Sequence, residues 1–233
     1  MDWKIFLEQA PSGGMTYLGW LWSGLFWTLA VSACAWVLAF TVGSVVGIAR
    51  TTPLAWARAL GTAYVELFRN IPLLVQIFLW YHVVPALIPP LRGVPSFILV
   101  VLGLGLFTSA RISEQVKAGI QSLPRGQRMA GLAMGFTLPQ TYRYVLLPMA
   151  FRIVIPPLTS EAMNIVKNSA VAFAVSISEL TLFALQAQEE TARGIEVYLA
   201  VTGLYFISAF VLNRVFHFVE SRVRVPGMIG GGH

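Results

Sequence analysis

Residues 22–48, WSGLFWTLAVSACAWVLAFTVGSVVGI, decide the class of fold. They lie inside a longer run, from Glu8 to Arg50, that holds no Asp, Glu, Lys or Arg between those two residues. A helix that crosses a bilayer needs roughly 20 apolar residues, so a first span is expected near Trp22 to Ile48. The run lacks a basic start and a short apolar core followed by a small-residue cleavage site, so it reads as a span and not as a cleaved leader. The rest of the chain agrees. Of its 233 residues, 57% are hydrophobic and 11% are charged, and mean hydropathy is +0.72. Soluble domains run near 45–50% apolar and about 25% charged. That composition excludes a disordered chain and argues against a soluble enzyme. The runs are helix-length and lack the alternation of roughly ten-residue barrel strands, so an all-α integral membrane protein is expected. Cys34 is the only cysteine, and His82, His217 and His233 are far apart, so no metal site is expected.

Charges mark four further spans. The second begins after Arg58 and ends near Pro85, with Glu66 and Arg69 in its first half. The third is the charge-free stretch Gly93 to Ala110, and it can continue past Arg111. The fourth, weak in hydropathy, runs from Pro157 to Leu180 and carries Glu161, Lys167 and Glu179. The fifth is the stretch Val197 to Asn213 plus a turn. The net charge is +6. In a membrane protein a basic balance reads as cytoplasmic loops, and no nucleic-acid partner is expected. The loop between spans three and four holds Arg111, Lys117, Arg125, Arg128, Arg143 and Arg152 against Glu114. The loop after span four holds Arg193 against Glu179, Glu189, Glu190 and Glu196. The positive-inside rule then puts the N-terminus outside and the C-terminus in the cytoplasm. The whole chain, 1–233, is expected to be one transmembrane domain, with 1–21 an extracytoplasmic segment, 112–152 a cytoplasmic loop and 214–233 a cytoplasmic tail.

The loop is too long for a simple connection, and apolar residues recur through it. Ser122 precedes Leu123-Pro124, and Thr137 precedes Leu138-Pro139. A hydroxyl residue just before a proline in the first turn signals a helix start. Gly135 reads as a helix stop. A short helix is expected from Pro124 to Met134, and a second from Pro139 to Leu147, ended by Pro148. The small residues Ala130, Gly131 and Ala133 permit close approach of another surface, and Arg125 and Arg128 flank them. On these residues alone two readings stay open: an amphipathic helix on anionic lipid, or a docking element for a soluble partner.

Polar groups inside spans need partners or water, since a lone charge at the centre of a span costs about 2.5–3.5 kcal/mol on insertion scales. Glu161, Asn164, Lys167 and Asn168 fall within roughly 120° of one another at about 100° per residue. That face is expected to meet a water-filled path or a partner span. A structural polar zipper between helices would use the same residues. Lys167 can meet a solute carboxylate or pair with Glu161. Glu66 and Arg69, three apart, can share a helix face and satisfy each other. Pro72 can kink that helix, and Gln76 lies four residues on.

Three stretches carry a resemblance. Glu114 to Gln127 (EQVKAGIQSLPRGQ), followed by Ala130, Gly135 and Leu147-Pro148, resembles the cytoplasmic coupling loop of bacterial ABC importer permeases. Tyr64 to Gln76 (YVELFRNIPLLVQ), and Pro156-Pro157-Leu158 with Lys167-Asn168-Ser169, resemble the second-span and fourth-span motifs of the polar amino acid uptake family of those permeases. Trp3 through Pro11, Gly135 to Gln140 and the tail from Arg224 to Gly227 look most like its glutamate/aspartate members.

The resemblance implies a type I importer permease fold of five transmembrane helices, with a short cytoplasmic coupling helix between spans three and four. It implies an inner-membrane location and half of a path for a polar or acidic amino acid, glutamate or aspartate. A cytoplasmic ATPase dimer would grip the loop through Pro124, Gly126, Gln127, Arg128, Met129, Ala130, Gly131, Gly135 and Pro139. The path would use Glu66, Arg69, Gln76, Glu161, Asn164, Lys167, Asn168 and Ser169. Further partners are a sibling permease (or a second copy), an extracytoplasmic solute-binding protein and membrane lipid. One departure stands out: the family loop usually reads Glu-Ala-Ala where this chain has Met129-Ala130-Gly131, so the acid is missing.

The chain is not expected to be an enzyme. No Gly-x-x-x-x-Gly-Lys-Ser/Thr phosphate loop, Gly-x-Ser-x-Gly elbow or His-Glu-x-x-His motif occurs. ATP with its Mg would be bound by a separate chain, and no cofactor is expected here. The alternative is a secondary carrier driven by an ion gradient, for which internal repeats of spans would be expected; none is evident. Replacing Lys167 with Met is expected to abolish uptake while the ATPase still co-purifies; uptake of labelled solute by the variant at the wild-type rate removes Lys167 from the path.

Overall fold

Proline decides more of this architecture than hydropathy does. A computed structural model describes residues 1–11 and 14–223, and the expected tail motif from Arg224 onward lies outside them. After a 3-10 turn, Trp3–Leu7, the chain forms α1, Tyr17–Ala49. Helix α2 is Ala55–Asn70 and α3 is Leu73–Leu87. Then come α4, Ser96–Gln121, the short α5, Arg125–Ala133, and α6, Leu138–Val175. Helices α7, Leu180–Thr191, and α8, Gly194–Val223, complete it. By length and composition α1, α4, α6 and α8 can each cross a membrane, and the broken pair α2–α3 makes a fifth candidate. The all-α, five-span expectation holds.

Two spans differ from expectation. The second is interrupted, not merely kinked. Pro72 takes an extended ψ of 139° ahead of α3, because proline removes a donor and biases the residue before it away from helix. The Gln76 amide donates to the Ile71 carbonyl oxygen across this break, at 2.9 Å. The fourth span starts far earlier than Pro157, because Pro148 does not end a helix. A π-helical turn, Tyr142–Leu146, precedes it, and the Leu147 N–H reaches back five residues to the Tyr142 oxygen. The same device precedes Pro85, where Leu79–Val83 is π-helical and the Val84 N–H bonds the Leu79 oxygen. A wide turn moves aside the carbonyls that a proline ring would strike. Glu179 does not lie in the span either. It follows a left-handed turn at Ser176 and caps α7.

The described residues form two compact units. The first comprises 1–38, 71–105 and 163–212. One apolar cluster there joins Ile5 and Phe6 to Leu21, Leu180, Phe183 and Val197; a second joins Val31, Ile77, Leu104, Ile165 and Val175. The N-terminal turn is fastened by the Asp2–Arg193 ion pair at 2.6 Å and by the Asp2 N–H donating to Glu196 at 2.8 Å. The Lys4 N–H and the Arg193 guanidinium hold the Asp2 carboxyl below its usual pKa. The buried Glu179 carboxylate accepts from the N–H groups of Thr181 and Leu182 and from the Tyr205 hydroxyl.

The second unit comprises 39–70, 106–162 and the described residues from 213 onward. Here α1 packs on α4 through Gly43 and Gly47, four apart. A Cβ on Gly43 would stand 2.7 Å from the Ser109 carbonyl oxygen, and one on Gly47 would stand 2.8 Å from that of Ser113. Small residues at this spacing let two membrane helices approach closely. Arg50, the residue just after α1, is 6% exposed and donates to Ser113 at 3.3 Å and Glu114 at 2.9 Å on α4. Gly61 of α2 lies against its stem.

Gly47→Val is expected to lower stability by about 1–3 kcal/mol, since the contact it violates is backbone and cannot rotate away. Gly203→Ala, in open space on α8, should not lower it. Thermal unfolding of the detergent-solubilised protein reads both.

Candidate functional site

Helix α5 forms as its sequence predicts at one end only. Its C-terminus is a Schellman stop: the Gly135 N–H bonds the Leu132 oxygen, the Phe136 N–H bonds the Gly131 oxygen, and Gly135 has φ of +84°. Its N-terminus is not capped by Ser122. That hydroxyl donates backward to the Gly119 oxygen at 2.9 Å, finishing α4, and Pro124 precedes α5 without a side-chain cap. Thr137 does open α6, where the Gln140 side-chain oxygen accepts from the Thr137 N–H at 2.8 Å.

The expected coupling residues divide by this geometry. Pro124, Gly126, Met129, Ala130, Gly135 and Pro139 are exposed, and Gln127 and Arg128 are half-buried. Gly131 is buried, and a Cβ there would meet the Thr141 side chain at 2.8 Å. Its smallness therefore serves packing of α5 onto the start of α6, not the approach of a partner. Gly135 is glycine for its backbone, since a side chain at that φ is strained whatever docks nearby. The exposed small face is left to Ala130 and Ala133.

The root of α5 is anchored. The Tyr142 hydroxyl donates to the Thr51 carbonyl oxygen at 2.8 Å and lies 3.1 Å from the Thr51 hydroxyl. Thr51 follows the end of α1, so one hydrogen-bond pair holds the first turns of α6 to that end.

The polar residues of the spans regroup. Glu161 is 5% exposed and pairs with Arg111 of α4 at 3.0 Å, with the Gln115 amide also donating to it at 3.2 Å. Lys167, offered above as its partner, is exposed and has no ion pair or hydrogen bond among the described residues. Asn164 and Asn168 are half-buried. Ser169 is buried, and its hydroxyl is committed to the Val166 oxygen at 2.7 Å, as the Gln76 amide is to Ile71. Glu66 and Arg69 do not satisfy each other. Both are exposed, and Arg69 stands 4.0 Å from Glu114.

Arg69, Phe107, Arg111, Glu114, Gln115 and Glu161 line a cavity of about 470 Å³ in the second unit. Two guanidinium groups and two carboxylates thus face one space large enough for a small solute. The sequence reading named Arg69 and Glu161 but missed Arg111, Glu114 and Gln115. Their spacing of three and four places them on one helix face, a signal that was legible once the third span was allowed to run past Arg111. Among the described residues no group of three or more His, Cys, Asp or Glu could hold a metal ion.

Long apolar helices around a partly buried charged cluster mark a polytopic membrane protein. The family described as binding-protein-dependent transport system inner membrane component matches residues 39–225, and the chain belongs to it. It is 52% identical over 241 residues to the glutamate/aspartate import permease protein GltJ of Escherichia coli K12, covering 99% of this chain and 98% of the relative. It is 27% identical to the glutamate/aspartate import permease protein GltK of Escherichia coli CFT073, covering 95% and 97%. Its fold matches a crystal structure of an amino acid ABC transporter with histidines at a TM-score of 0.77, with 28% identity over 88% of this chain and 95% of that one. The type I importer permease architecture and the amino acid import role expected from the sequence stand.

Removing one member of a buried pair leaves the other uncompensated. Arg111→Met is expected to cost about 3 kcal/mol, the low end for buried pairs because the Arg111 side chain is 41% exposed. Arg111→Met with Glu161→Met should be less destabilised than Arg111→Met alone. Thermal midpoints of the two variants and the wild type check this.

Proposed function

We propose that this chain forms half of the path for an acidic amino acid, glutamate or aspartate, in an ATP-driven importer. One observation carries the substrate class: the cavity that places Arg69 and Arg111 beside Glu114 and Glu161. Two guanidinium groups suit the two carboxylates of a dicarboxylic amino acid, and the acids suit its ammonium group. Near-full-length identity to a glutamate/aspartate import permease protein supports the same solute. Lys167, Asn164 and Asn168 add polar groups further along α6, and Lys167 has no partner among the described residues.

The partners follow from the same reading. Strain CFT073 has both GltJ and GltK as glutamate/aspartate import permease proteins, and this chain is 52% identical to the first and 27% to the second. That favours a sibling permease over a second copy. The family description implies a solute-binding protein. The missing phosphate loop leaves ATP and its Mg to a cytoplasmic ATPase, which would grip α5 and the turn after it. Loop charges favour a cytoplasmic position for that helix and an outer one for the N-terminal turn.

The test is uptake by proteoliposomes holding this chain with its sibling, ATPase and binding protein. Labelled glutamate should enter only with internal ATP, with aspartate competing and glutamine competing far less. Uptake that persists without ATP and stops when ion gradients are dissipated overturns the reading; equal competition by glutamine overturns the substrate class.

A further inference from the structure

At the root of α5 lies a small cavity of about 160 Å³, separate from the solute cavity, which neither the proposed path nor the packing of α5 uses. Arg125 and Arg128 line it together with Gln121, Leu123, Thr51 and Tyr142. The Tyr142 hydroxyl is already committed to Thr51. Neither arginine has an ion pair or a hydrogen bond from its side chain among the described residues. Between 115 and 160 the chain holds five basic residues and no Asp or Glu, so no acid from that stretch can satisfy them. The residue that the family's loop would supply as an acid is Met129, which is 67% exposed.

We propose that this cavity receives the carboxylate side chain of an acidic residue on the cytoplasmic ATPase, so that the salt link at the coupling helix runs with reversed polarity. The proposal rests on the reading that α5 docks on that ATPase. Two guanidinium groups beside one small polar space suit a single carboxylate, which each can hold by charge-assisted hydrogen bonds. A soluble partner is favoured over a lipid surface by the composition of α5. Residues Arg125–Ala133 hold no aromatic anchor and a single leucine, Leu132, whereas helices that lie in the membrane interface bury a whole face of Trp, Phe and Leu. Its exposed face instead carries Met129, Leu132 and Met134, and methionine adapts to protein surfaces. The rigid Tyr142–Thr51 mount keeps the cavity open between α5 and the end of α1.

The experiment is retention of the ATPase on the purified permease pair across a salt series, with three variants of this chain. Arg125→Glu with Arg128→Glu should lower retention on the order of tenfold, the effect of breaking a desolvated charge pair. Arg125→Lys with Arg128→Lys should restore most of it, and wild-type retention should fall as salt rises. Ala130→Trp, on the exposed face away from the cavity, should also release the ATPase. Should Ala130→Trp release it while the double charge reversal leaves retention and salt dependence unchanged, the cavity assignment is overturned and docking survives. Should Ala130→Trp leave it bound as well, docking through α5 is itself overturned. A double reversal that keeps the ATPase but loses affinity for phosphatidylglycerol vesicles also overturns the assignment, in favour of a lipid phosphate.

Discussion

A buried guanidinium at the end of the first span organises the second unit. Arg50 gives up water on nearly all sides, and a buried cation is tolerated only when it is paired and hydrogen-bonded. Its partners are Ser113, whose carbonyl oxygen Gly47 approaches, and the next residue, Glu114. The glycines therefore do more than permit close approach. They set α1 near enough to α4 for the guanidinium to reach, and Gly61 of α2 leaves room for its stem. Glu114, held by Arg50, is the same residue that Arg69 approaches in the cavity of about 470 Å³. Packing at one end of α1 is thus coupled to the electrostatics of the cavity.

The second constraint is how long helices absorb proline. Pro85 and Pro148 each follow a π-helical turn and leave their helix running, whereas Pro72, without such a turn, separates two helices. Pro156 and Pro157 also lie inside α6, with no wide turn before them, so the π-helical turn is one way of accommodating the ring and not a general condition. Where the ladder widens by one residue, the carbonyl that would clash is carried aside. For α6 the result is a single element from Leu138 to Val175, which joins the turn packed against α5 to the pair made by Glu161. A displacement at α5 has a continuous helical connection to that buried carboxylate.

The spans were legible because apolar runs bounded by charge leave few alternatives. The stop at Gly135 was legible because a glycine after an apolar helix satisfies a strictly local pattern of hydrogen bonds. What failed was non-local. Ser122 precedes a proline, but its hydroxyl had a nearer acceptor behind it at Gly119. Helix α7 was missed because its cap is Glu179, whose burial depends on Tyr205, 26 residues away. The partner of Glu161 lies 50 residues off on another helix, so a wheel drawn on α6 alone could only propose Lys167. Gly131 read as a docking surface because smallness in sequence does not say which neighbour needs the room.

The gap at Pro72 has a consequence for how this stretch can sit in a bilayer. At about 1.5 Å per residue, neither Ala55–Asn70 nor Leu73–Leu87 alone reaches the roughly 30 Å of a hydrocarbon layer, so where the pair forms one span the interruption falls at depth. Lipid offers nothing to an exposed peptide carbonyl there. The carboxamide of Gln76, folded back on Ile71, acts as a splint: it gives that carbonyl the hydrogen bond that the break in the helix withholds. The carbonyl at the interruption is thereby kept from facing hydrocarbon without a partner.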